Sequence, residues 1–130
     1  MSFLGVDYGR KYSGIAFAQR TQADSLQSVP TKLLLSEINR LCKKLDVQTC
    51  VVGVPEGAVR QEVLQFIDTL SRETSLRVVG WDETLTTYQA RDVLQKTGKS
   101  AKRRKENEHA VAAALMLQSY LDSQTYAKKD

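Results

Sequence analysis

Two cysteines, two prolines, one tryptophan and a single histidine are all that the 130 residues hold of those types. Cys42 falls in a helical pattern and Cys50 in a strand pattern, neither with metal-ligand spacing. That excludes a zinc–cysteine site and a disulfide framework, and predicts buried free thiols in a reducing cytoplasm. No apolar run is long enough to span a bilayer, so no membrane partner is expected. Met1-Ser2 passes straight into an apparent strand with no charged n-region or cleavage site, which predicts no leader. No internal repeat or low-complexity tract is visible.

Acid is missing from one stretch. Lys96, Lys99, Lys102, Arg103, Arg104 and Lys105 follow one another with no Asp or Glu between them. These six cations exceed the whole formal net charge of +4, so the rest of the chain is near neutral or slightly acidic. A solvated loop is the plain reading of such a cluster, and phosphate-backbone contact is the functional one.

What is present is ordinary for a soluble globular protein, with 42% hydrophobic and 26% charged residues. The length predicts a single domain over residues 1–130 with a core of its own. Phe3–Val6 and Gly14–Ala18 read as a hairpin, and a third strand is expected over Ser25–Val29 before Pro30. Leu34, Ile38, Leu41 and Leu45 recur at helical spacing within Thr31–Leu45. Thr49–Val54 reads as a buried strand, broken at Gly53-Val54-Pro55-Glu56-Gly57. Val59, Val63, Phe66, Ile67 and Leu70 mark a second helix, and Leu76–Gly80 another strand. A helix is expected from Thr84 through Leu94, then a flexible basic loop at about 97–105. A final helix is lined by Ala110, Ala113, Ala114, Leu117 and Leu121, with a frayed tail at about 126–130. The order β-β-β-α-β-α-β-α-α combines an antiparallel meander with βα crossovers that demand parallel pairing. It predicts an α/β fold with a mixed sheet and helices on both faces, the ribonuclease-H-like architecture.

Three ionisable residues stand at the ends of these elements. Asp7 closes the first apolar run, Glu83 follows Asp82 after Val78-Val79-Gly80-Trp81, and His109 opens the Ala-rich helix. Residues far apart in sequence can meet at one edge of an α/β sheet, and two carboxylates with a histidine there point to a divalent-metal site. Each has a simpler explanation. Asp7 and Gly9 could form a plain turn, Asp82 or Thr84 could cap a helix, and His109 could pair with Glu106. At a helix N-terminus the dipole would keep His109 neutral and able to bind metal. Gly9 could take positive φ and let the backbone approach a ligand. The Gly53–Gly57 segment is a candidate binding loop, in which Glu56 is not counted as a ligand.

The segments Asp7-Tyr8-Gly9-Arg10-Lys11-Tyr12-Ser13-Gly14-Ile15-Ala16, Gly53-Val54-Pro55, Asp82-Glu83-Thr84-Leu85-Thr86-Thr87 and Ala112-Ala113-Ala114-Leu115-Met116-Leu117 occur in this order. Together they resemble the YqgF/RuvX family of pre-16S ribosomal RNA nucleases and Holliday-junction-resolvase-like proteins, over essentially the whole chain. The resemblance implies Asp7 as first catalytic acid and Glu83 as second. His109 holds the place of the usual third Asp. Thr84 replaces a usual Arg, and the loop after Pro55 is shorter. Histidine occurs at that helix position among wider RuvC-like nucleases.

The implied chemistry is phosphodiester hydrolysis with Mg²⁺ or Mn²⁺. Asp7 and Glu83 would be ligands, and His109 either a ligand or a proton carrier. Arg10, Lys11, Lys99, Lys102, Arg103, Arg104 and Lys105 are the candidate nucleic-acid contacts. The expected substrate is structured RNA, the 5′ end of precursor 16S ribosomal RNA. Branched DNA is the enzymatic alternative, and a binding module with little catalysis is the alternative of another class. An actin-like nucleotide-binding protein would need two such domains. Either a monomer or a homodimer is compatible with the sequence.

Overall fold

A computed structural model describes residues 1–82 and 101–128, with side chains described for 1–82 and 108–124. Strand β1 (Ser2–Asp7) turns into β2 (Tyr12–Gln19), and Arg20, at φ 70°, helps turn β2 into β3 (Gln22–Pro30). A short 3-10 turn, Thr31–Leu33, leads into α1 (Leu34–Leu45). Then come β4 (Thr49–Val54), α2 (Arg60–Glu73), β5 (Arg77–Asp82) and a long helix α3 (Ala101–Lys128). The sheet order is β3-β2-β1-β4-β5. The β1–β2 and β2–β3 pairs are antiparallel, while β1–β4 and β4–β5 are parallel.

Alternation along β1 divides the core. Leu4 and Val6 join Ile15, Val52, Leu34, Ile38, Val63 and Leu70 beneath α1 and α2. Gly5 and Asp7 face the opposite side, where Ala16, Ala18 and Val51 meet Ala113, Met116, Leu117 and Leu121 of α3. β4 is buried on both faces, as a central parallel strand should be. Edge strand β5 is tied to α3 by the Trp81 indole, which donates to Ser119 Oγ at 3.3 Å and meets Tyr120 edge-on.

Two glycines set how closely α3 can lie on the sheet. A Cβ on Gly5 would come within 2.8 Å of Leu117 Cβ, and one on Gly14 would overlap the His109 carbonyl and the Ala110 nitrogen. Buried Ala110 and Ala113 complete the close seam from the helix side.

Several boundaries differ from expectation. β3 extends to Gln22; its outer positions are polar and exposed, which hides an edge strand from an apolar pattern. The expected helix over 31–45 begins as the 3-10 turn after Pro30. The basic stretch is not all loop, for Ala101–Lys105 already belongs to α3. Ala, Lys, Arg and Glu are strong helix formers, so that segment needs no apolar stripe to be helical. At the other end α3 runs through Lys128, into the expected frayed tail. The expected helix from Thr84 through Leu94 lies outside the described residues, as do 97–100 of the expected loop.

Candidate functional site

The carboxyl ends of parallel strands β1, β4 and β5 share one edge, and the register places Asp82 opposite Val54 there. At this edge a recess of about 380 Å³ opens. β1 and its turn contribute Asp7, Tyr8, Gly9 and Arg10. The segment after β4 contributes Pro55, Glu56, Ala58 and Val59, and α3 contributes Glu108, His109 and Ala112. Of the Gly53–Gly57 break, Pro55 and Glu56 line this recess.

Asp7 is buried, 6% exposed, yet borders this recess. His109 Nδ1 lies 2.8 Å from Asp7 Oδ2. Two of the three residues singled out in the sequence are thus joined across 102 positions. Glu83 directly follows Asp82 and lies outside the described residues. Among the described residues no group of three His, Cys, Asp or Glu is arranged to hold a metal ion.

The position of His109 corrects the expectation that it opens a helix. It sits about two turns inside α3, away from the exposed amides that would disfavour its charge. The hydrogen bond that His109 Nδ1 donates to Asp7 raises the ring's pKa above the ordinary value. Burial opposes that shift, while the charges of Asp7 and Glu108 add to it. The ring is therefore poised toward the imidazolium form. In the metal-free protein, the His109 titration midpoint measured by NMR is expected above the ordinary value of about 6.5. Asp7→Asn should lower it; a midpoint unmoved by Asp7→Asn would refute the pairing. The stability gained from this pair is fully present below the unfolded-state pKa and lost as pH rises through the folded-state pKa.

Gly9 serves by its size. Its φ is not positive; among the described glycines only Gly57, at φ 95°, takes that conformation. A Cβ on Gly9 would overlap the Tyr12 carbonyl and come within 2.9 Å of His109 Cε1. The turn consequently lies against the imidazole.

Two hydroxyls hold that turn, and sequence reasoning missed both. Thr31 Oγ1 donates to the Gly9 carbonyl at 2.6 Å, and the Gly9 amide donates to Ser13 Oγ at 3.2 Å. The two hydroxyls are themselves 2.7 Å apart. The one sign in the sequence was a serine directly before the apolar run Gly14–Ala18; the structure buries it fully. Thr31→Val strands these partly buried acceptors and is expected to cost about 1–2 kcal/mol in urea denaturation, with Thr31→Ser losing less. Equal stability of Thr31→Val and the parent would remove the hydroxyl's role.

The predicted cations are placed unevenly. Arg10 Nε donates to Glu62 Oε1 at 2.9 Å in an exposed pair, 60% and 39% accessible, which a phosphate could displace at little cost. Lys11 is exposed, with its ammonium 5.9 Å from the Tyr12 ring centroid. Lys102, Arg103, Arg104 and Lys105 lie on the first turns of α3, and Lys99 lies outside the described residues.

A mixed five-stranded sheet with a buried acid at the end of β1 and a long helix across it defines a ribonuclease-H-like protein. Two solved structures share the fold. One is the Fowlpox virus resolvase in complex with Holliday junction DNA, with TM-score 0.66 and 15% identity, covering 95% of this chain and 99% of that one. The other is T. thermophilus RuvC with a Holliday junction substrate, with TM-score 0.62 and 16% identity, covering 96% of each chain. Residues 1–123 match the RuvX family, described as Holliday junction resolvase. A Syntrophus aciditrophicus protein named "Putative pre-16S rRNA nuclease" is 34% identical over 95% of this chain and 89% of its own. The chain belongs to the RuvX family.

Proposed function

We propose that this protein is a divalent-metal-dependent nuclease that trims the 5′ end of precursor 16S ribosomal RNA, working at the Asp7 recess. The observation that carries the site is the buried Asp7 carboxylate, bonded to His109 and bordering a concavity at the carboxyl ends of parallel strands. The name of the 34%-identical relative supports the substrate.

The donors fit a hard cation in kind. Asp7 brings carboxylate oxygen to an accessible recess, and Mg²⁺ or Mn²⁺ prefers such ligands while retaining water. Asp7 and Glu83 would hold the ion, and its charge would acidify water and offset charge developing on the phosphate. Since His109 Nδ1 is engaged by Asp7, the imidazole first orients that carboxylate, much as outer partners orient metal ligands. As an imidazolium it can also deliver a proton to the departing oxygen. Of the two roles the sequence offered for His109, ligand or proton carrier, we take the second and add the orienting one. Arg10, Lys11, Lys99, Lys102, Arg103, Arg104 and Lys105 would track the phosphate backbone, fixing position without reading sequence.

Cys42 and Cys50 are free, as suits a reducing cytoplasm, and among the described residues no helix is long and apolar enough to cross a membrane. Branched DNA is the second reading, because the two structural neighbours were solved with Holliday junctions.

The test compares cleavage of a 5′-extended 16S precursor fragment, a four-way DNA junction and an unstructured strand. Preferential cut of the precursor is the expected result; preferential cut of the junction would replace the RNA reading. Joint replacement of Lys102, Arg103 and Arg104 by Gln should weaken RNA binding about equally for all sequences. It should also flatten log K against log salt by about 2 units. An unchanged slope would remove those residues from the interface.

A further inference from the structure

Tyr8 follows Asp7 directly, so strand alternation turns its ring to the other face of the sheet. There it meets Phe66 of α2, with centroids 5.5 Å apart and planes tilted by 42°. The half-buried ring borders the Asp7 recess and also a second one, of about 300 Å³, lined by residues of the Thr31–Leu33 turn, α1 and α2. Tyr8, Leu35 and Phe66 form the apolar, half-buried part of this second recess. Gln65 and Thr69 give it polar groups and exposed Lys32 gives it a cation, while the Thr31 hydroxyl is held by Gly9 and Ser13. Its acid, Glu62, is already matched by Arg10.

That chemistry suits one ligand part. A planar apolar group can lie against an aromatic floor while hydroxyl and amide groups meet its polar edge in either donor or acceptor sense. The volume is at the lower end of small-molecule sites, about 300–1,000 Å³, and has room for one base but not a duplex. Bases held in a duplex offer no free face, whereas unpaired bases stack on Tyr and Phe.

We propose that the second recess is a subsite for one unpaired nucleobase, stacked on Tyr8 beside the phosphate at Asp7, with Lys32 on an adjoining phosphate. This rests on the nuclease reading for its neighbouring phosphate, and it narrows the substrate to RNA carrying a single-stranded extension. A fully paired junction arm cannot fill it.

The test uses the wild-type protein in EDTA with hairpin RNAs that are blunt or carry a single-stranded extension. 2-Aminopurine is placed at successive positions of the extension. One position should be quenched on binding, and Tyr8→Leu should abolish that quench. The same variant should weaken binding of the extended hairpin about tenfold while leaving the blunt hairpin unchanged. Tyr8→Phe should behave as wild type. Lys32→Gln, at an exposed position that leaves the core intact, should weaken only the extended hairpin and lower its salt slope by about 0.7. Wild-type affinity for the extension in both Tyr8→Leu and Lys32→Gln would overturn the subsite, and so would equal loss on both RNAs. With Mg²⁺ added, cleavage without any quenched position overturns the subsite and leaves the nuclease reading. Quenching without cleavage supports the subsite and overturns the nuclease reading.

Discussion

Gly14→Ala should lower stability by about 3 kcal/mol or more and Tm by about 10 °C or more, an unusually large loss for adding one methyl. Gly14 pairs with Asp7 in the β1–β2 ladder and faces α3. The added Cβ would occupy the space of the His109 carbonyl and the Ala110 nitrogen, which are backbone atoms with no rotamer to change. Relief requires α3 to lift from the sheet, opening the seam around Ala113 and Leu117 that includes Gly5. It would also draw His109 from Asp7, so catalysis should fall even where the protein stays folded. Gly57→Ala is the control. Nothing lies within 4 Å of its Cβ position, so only the positive φ of 95° is penalised, at about 1–2 kcal/mol. Thermal and urea denaturation of both variants measures the difference. A Gly14→Ala protein as stable as the parent would mean that α3 does not sit where described.

Asp7→Asn should reduce cleavage at least about 10²-fold, the scale of losing one charge-stabilising group from an active site. The side chains are nearly the same size, so the fold should survive, and the loss should appear in single-turnover rate beyond the smaller stability lost with the His109 pair. Two effects combine. The carboxylate charge proposed to hold the cation is gone, and His109 loses the partner that favours its protonated form. Glu83→Gln should produce a comparable loss without the change at His109, because in the described contacts only Asp7 bonds the ring. Activity that persists in Asp7→Asn would rule out this carboxylate as the centre of the chemistry.

Much of this was legible because the informative signals were local. Thr49–Val54 was bounded by sequence alone, since a short apolar run ended by Pro55 has few other readings. Asp7 stood out because a carboxylate ends an apolar strand. The Leu34–Leu45 stripe gave α1 its buried face, with Leu34, Ile38 and Leu41 inside. What escaped depended on contacts between distant segments. The Ser13–Thr31 hydroxyl pair is separated by 18 positions, and Thr31 belongs to none of the motif segments. Gly14 read only as the start of a strand, although its role is set by a helix almost a hundred residues later. The start of α3 was missed because charged helix formers resemble a solvated loop. His109 inherited that error: a helix taken to begin at 109 implied a neutral ring, whereas one beginning at Ala101 leaves Asp7 in control.

The most direct measurement is single-turnover cleavage of the 5′-extended 16S precursor with Mg²⁺ or Mn²⁺, then with EDTA, then with the metal restored in excess. The account predicts cutting at the 5′ extension that stops on chelation, returns with metal, and is lost in Asp7→Asn under every condition. Cleavage that continues in EDTA, or an intact precursor at all metal concentrations, would contradict it.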